Sequence, residues 1–291
     1  LATQEFVAPD QRVEGTQSIM NSVLPYDSSA ERSPSGSPRT FLIRALGSGG
    51  AASPELPPIK AILFDPENVF YDDTLWRRWL RQLLLRMGAP APFPEFFSRW
   101  DLDFRKEVDL GLRDYWDVLR DFLLDAGLAD RQIDEVFCAG VCRKQRFESG
   151  RRCLPGVNET LRQLSSARIA LYVLANAPCN ADAFASQLVE MGLSAKFHGM
   201  ATSRDVGHVM PQHAFFRYAI TEFDLDPHAT AFVGSDPLRL RGAARFGLTT
   251  IAYNVPSDDC ASFTLERLSE LPRLLANDPA PSSDVGIRRV G

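Results

Sequence analysis

Ile59-Lys60-Ala61-Ile62-Leu63-Phe64-Asp65-Pro66-Glu67-Asn68-Val69-Phe70-Tyr71-Asp72 is the stretch on which the reading of this chain turns. A short, nearly continuous apolar run that ends in polar and turn residues is the pattern of a strand buried on both faces of a parallel sheet. Three later runs share it: Ile169 to Leu174, Thr230 to Val233 and Thr249 to Tyr253. Helical periodicity lies between them, over Val157 to Ser165, Asp182 to Met191, Gln212 to Phe223 and Leu238 to Phe246. Strands alternating with helices predict an α/β fold, a parallel sheet with helices on both faces. Ligands in such folds bind beyond the carboxyl ends of the strands, where Asp65 falls.

Working outward, residues 74–152 hold no convincing strand. They carry amphipathic helical stretches over Leu75 to Met87, Phe93 to Val108, Gly111 to Ala126 and Arg131 to Phe147, with tryptophans at 76, 79, 100 and 116. The tryptophans read as the core of a helical bundle in preference to a ligand cage. The segment leaves after the first strand and returns before the second, so it reads as an inserted all-helical cap over that strand's carboxyl end. The α/β core then comprises 57–73 and 153–276. Residues 1–56 are rich in Ser, Gly, Pro and Ala without apolar period and read as a flexible leader, and 277–291 as a flexible tail.

Composition narrows the function. A formal net charge of −5 without a block of Lys and Arg argues against nucleic acid and anionic membrane as partners, leaving a small-molecule ligand or a protein. No apolar run reaches the roughly 18–20 residues of a spanning helix. The five cysteines, 138, 142, 153, 179 and 260, are odd in number and dispersed, which fits a reducing cytoplasm. Cys138 and Cys142 lie four apart, but no His or Cys pair sits nearby to complete a metal site.

An acid at a strand's carboxyl end with a second acid two residues on suits a two-step reaction. Asp65 would attack, and Glu67 would shuttle the proton. The same pair also reads as two solvated loop carboxylates. Context favours chemistry, because a series of short motifs comes after it in order: Pro155-Gly156, Ala175-Asn176, Val206-Gly207-His208-Val209-Met210-Pro211, and Phe232-Val233-Gly234-Ser235-Asp236 with Gly242-Ala243.

This ordered set, over about residues 59–255, resembles the haloacid dehalogenase superfamily, in the branch whose helical cap follows the first motif. The resemblance implies a Rossmann-like core, Asp65 as nucleophile, Glu67 as acid and base, Asn176 as a phosphate-binding residue, and usually magnesium-dependent hydrolysis of a phosphate monoester. Several positions depart from the pattern. Asn68 and Val69 stand where glycine and threonine are usual. Asparagine tolerates a left-handed turn, but valine brings no hydroxyl. Ala175 replaces a serine or threonine that binds the phosphoryl group, and Met210 replaces a lysine. The nearest cations in sequence to that position are Lys196 and Arg204. Ser235 takes the place of an acid, which shifts to Asp236, and no second acid precedes Gly242, while Arg239 and Arg241 add positive charge.

Asp65 and Asp236 alone would make a weak magnesium site. Losing one preorganised donor costs about 10²–10³ in rate, and here a hydroxyl, a lysine and part of the metal site change together. The expectation is a superfamily member with a degenerate catalytic set, non-catalytic or very weak, that binds a small ligand or protein partner. The alternative is a magnesium-dependent phosphatase using Asp65.

Overall fold

The computed structural model describes residues 58–89, 95–255, 261–276 and 288–289. The expected leader, Cys260 and all of the expected tail except Arg288–Arg289 lie outside these residues.

Strand β1 (Ala61–Phe64) is followed by an insert of helices: α1 (Leu75–Arg86), α2 (Glu95–Arg99), a π-helical turn (Trp100–Phe104), α3 (Arg105–Asp109), α4 (Tyr115–Asp125) and α5 (Asp130–Ser149). The chain then alternates through α6 (Val157–Ser166), β2 (Ala170–Ala175), α7 (Ala181–Glu190), β3 (Gly199–Thr202), α8 (Ser203–Val206), α9 (His213–Glu222), β4 (Thr230–Gly234), α10 (Pro237–Phe246) and β5 (Thr249–Tyr253). It closes with β6 (Phe263–Leu265), α11 (Leu271–Leu275) and β7 (Arg288–Arg289). No helix among the described residues is long and apolar enough to cross a membrane.

The strands form one sheet in the order β3-β2-β1-β4-β5-β6-β7. The first six run parallel, and β7 pairs antiparallel with β6. Phe64 is in register with Val173 on one side and Val233 on the other, so β1 is central and Asp65 leaves the sheet between β2 and β4. That is where the strand order reverses and a crevice opens. Side chains alternate along β1: Ile62 and Phe64 join a core with Leu161, Leu171 and Val173, while Leu63 joins the opposite one with Phe216, Phe232 and Leu240. The Rossmann-like α/β architecture expected from the sequence is therefore present.

The insert has its own core, built from Trp76, Leu80, Leu84, Trp100, Phe122 and Ile133. Trp76 and Trp100 are buried within it, and Trp79 and Trp116 pack against it. One departure from the sequence reading is the stretch expected as a single helix over Phe93 to Val108. Its hydrogen bonding shifts to a π turn over Trp100–Phe104, and Arg105, the next residue, pairs with Glu67 in the turn after β1.

Candidate active site

Asp65 continues β1 by one residue, its N–H donating to the Val233 carbonyl at 2.9 Å, and its side chain is fully buried. The turn behind it is held by Asn68, which adopts the left-handed conformation at φ 57° and accepts a hydrogen bond from the Asp73 N–H at 3.0 Å. The substitution of asparagine for glycine thus keeps the turn.

The positive charge that the sequence reading finds missing comes from another element. Arg239, in the first turn of α10, is 4% exposed. Its Nη1 donates to both carboxylate oxygens of Asp65, at 2.8 and 2.9 Å. Its Nη2 lies 2.8 Å from Oε2 of Glu67, and its Nε 3.8 Å from Oδ2 of Asp236. A second guanidinium arrives from the insert: Nη2 of Arg105 reaches Oε1 of Glu67 at 2.5 Å, and its Nε lies 3.1 Å from Asp109. The longer side chain of Glu67 lets it accept from both. Charge-assisted contacts of this kind are short and directional. They fix Glu67 as a bridge between sheet and insert.

The other motif residues serve these loops. Ala175 ends β2 with its methyl buried. The Asn176 amide clasps the backbone of residue 210, donating to the Met210 carbonyl at 3.1 Å and accepting from its N–H at 2.8 Å. Met210 itself is buried among Leu63, Leu174 and Phe216. Ser235 donates to the backbone carbonyl of Glu67 at 2.9 Å. Asp236 caps α10, its carboxylate accepting from the N–H groups of Leu238 and Arg239. Lys196 is exposed, and Arg204 is engaged with the carbonyls of Leu110 and Gly111, so neither takes the lysine's place.

Burial pushes the Asp65 carboxyl up to about 7, against the Arg239 guanidinium that favours its ionised form. Glu67 is also pushed up by burial, but Arg105 and Arg239 prevail and hold it down at about 2. The two guanidiniums favour the ionised form of Glu67, which suits a proton acceptor better than a donor. Burial raises Asp109 to about 6.

The same contacts test the expected magnesium site. Both oxygens of Asp65 face Arg239, and Asp236 is committed to the α10 cap and to Arg239. No group of three or more His, Cys, Asp or Glu able to hold a metal exists among the described residues. The donors present do not fit a magnesium ion, because a guanidinium lies among the carboxylates that would bind it.

Sequence reasoning placed positive charge near this loop at Arg239 but did not pair it with Asp65, and it missed Arg105. A signal for Arg239 was present: a cation stands on the first turn of α10, where another acid is expected, in the same chain that loses its lysine at 210. Nothing comparable marks Arg105.

Fold and site together define an α/β protein with an aspartate at the end of its central strand and a helical insert after it. The chain belongs to the haloacid dehalogenase-like hydrolase family, whose sequence model matches residues 59–247. Solved structures resemble it over most of their length. A HAD-superfamily hydrolase of subfamily IA, variant 1, from Geobacter sulfurreducens is 21% identical, with a TM-score of 0.52 over 77% of this chain and 100% of the other. The L-2-haloacid dehalogenase of Xanthobacter autotrophicus is 17% identical, with a TM-score of 0.51 over 76% and 100%. A 2-haloacid dehalogenase from Pseudomonas syringae is 26% identical, with a TM-score of 0.48 over 75% and 99%. The first two likenesses are likenesses of fold. No curated protein matches the chain.

Proposed function

We propose that this protein is a ligand-binding member of its family in which the hydrolytic site has been closed by an internal ion-pair network. The observation that carries the reading is the Arg239 guanidinium across both oxygens of Asp65. A nucleophilic carboxylate needs a free lone pair aimed at the substrate, and catalysis requires charge arranged for the transition state rather than consumed in the ground state. Ala175 and Met210 supply neither hydroxyl nor ammonium to a phosphoryl group. The helical insert acts as a cap, with Arg105 as its tie to the core. The ligand is a small molecule, in keeping with the chain's net negative charge, and the dispersed thiols support a cytoplasmic setting.

The test is hydrolysis of 4-nitrophenyl phosphate by purified protein with and without magnesium, beside Asp65→Asn. No turnover above the Asp65→Asn control is expected. Magnesium-dependent turnover that disappears in the control would overturn the proposal and favour the phosphatase alternative, which rests on the retained Asp65 and Glu67. Combining Arg239→Asp, Met210→Lys and Ala175→Ser is expected to raise turnover above wild type.

A further inference from the structure

A cavity of about 560 Å³ opens between the insert and the core, and Asp65 is not among its walls. Its size is that of a small-molecule site. Aromatic rings make up much of the lining. Trp76, backed by Trp79 stacked at 4.9 Å outside the lining, meets Tyr115 edge-on at 6.3 Å. Trp100 stands edge-on to Tyr115 at 5.6 Å and to Phe122 at 5.4 Å. The Trp76 indole N–H is already donated to the Tyr115 hydroxyl.

Most of the charges beside these rings are engaged in ion pairs, while Arg152 donates to the carbonyls of Ser149 and Arg151. Arg77 pairs with Asp101, Arg105 with Glu67 and Asp109, and Arg151 with Asp73. Lys144 pairs with Glu148 and lies over the Tyr115 ring. Beside the rings, an anion would have to displace a carboxylate already paired with Arg77, Arg105, Lys144 or Arg151, whereas a flat neutral molecule meets the exposed parts of the rings without breaking an ion pair.

We infer that this cavity binds an uncharged planar aromatic molecule of two or three rings, held between the rings of the insert and the loop after β2. The inference rests on the ligand-binding reading above and adds the chemical class of the ligand.

The experiment is titration of the full chain with 2-naphthol, neutral at pH 7, and with its anionic analogue 2-naphthoate, followed by tryptophan fluorescence and by the indole N–H signals in NMR. Saturable quenching by 2-naphthol is expected, at least about tenfold tighter than by 2-naphthoate. The indole signals of Trp76 and Trp100, which line the cavity, should shift more than that of Trp116. Val108→Phe, which adds a ring at the wall, should weaken binding by at least about tenfold. If that variant does not fold, the pattern of indole shifts decides alone. Absence of saturable binding, equal or tighter binding of 2-naphthoate, a folded Val108→Phe with unchanged affinity, or shifts centred on Trp116 would each overturn the inference. The 4-nitrophenyl phosphate assay on the same preparation tests the closed-site reading separately, so failure of either is recognised without the other.

Discussion

Arg239 pairs at once with the buried carboxylate of Asp65 and the partly buried one of Glu67, and the consequence of removing it is set by the cost of an unpaired charge. Arg239→Met should lower unfolding free energy by about 3–5 kcal/mol, measured by urea titration, because Asp65 and part of Glu67 are left without their partner. The double variant Asp65→Asn/Arg239→Met should recover part of that loss. Titration gives a second expectation. The raised carboxyls of Asp65, about 7, and Asp109, about 6, contribute stability that is fully present below the unfolded value and lost as pH rises through the folded one. The depressed Glu67, about 2, acts in the opposite sense: its contribution is present above 4.5 and lost as pH falls through the folded value. Thermal midpoints should therefore rise from pH 8 toward pH 5 and fall in strong acid, and Asp65→Asn should flatten the upper limb. A flat wild-type profile between pH 8 and 5 would contradict this account. Which carboxylates exist was legible from the first strand and its turn, whereas their partner was not. Arg239 is 174 positions from Asp65, and only the sheet order brings α10 beside β1.

Helix α10 approaches the loop after α8 so closely that a Cβ on Gly242 would lie 2.6 Å from Cβ of Pro211 and 2.8 Å from its carbonyl oxygen. Gly242→Ala must push the helix away, with an expected loss of about 1–3 kcal/mol in urea unfolding. The central strands were readable because each is buried on both faces and therefore nearly continuous in apolar residues. Strand β3 escaped notice because Gly199-Met200-Ala201-Thr202 opens with glycine and offers only two large or apolar side chains after it. Strand β6, three residues with a threonine at its centre, is too short for any period to register. In the insert the apolar spacing remained helical across residues 93–108, so it gave no warning of the π turn. The hydrogen-bonding shift there belongs to backbone geometry, not to side-chain pattern.

Among the described residues three apolar cores are joined, two on the faces of the sheet and one inside the insert. The ties across the join include polar ones: Arg105 to Glu67, the Ser203 hydroxyl to the Asp109 carbonyl, and Arg204 to the carbonyls of Leu110 and Gly111. All four tryptophans lie in the insert, so their fluorescence tracks its unfolding while circular dichroism tracks the whole chain. Wild-type transitions in urea should coincide by both probes. In Arg105→Met the fluorescence transition should move to lower urea than the dichroism transition. Coincident curves in that variant would mean that the remaining contacts alone couple the two parts.

That the positive charge beside Asp65 comes from residue 239, while residue 210 is an uncharged methionine, has a corollary for redesign. Introducing lysine at 210 first would force an ammonium into an apolar cluster. Deleting the arginine first would strand Asp65 in the interior and leave Glu67 with Arg105 alone. Neither order passes through an intermediate as robust as its neighbours, so the two arrangements face each other across a valley. Met210→Lys and Arg239→Asp should each melt lower alone than together.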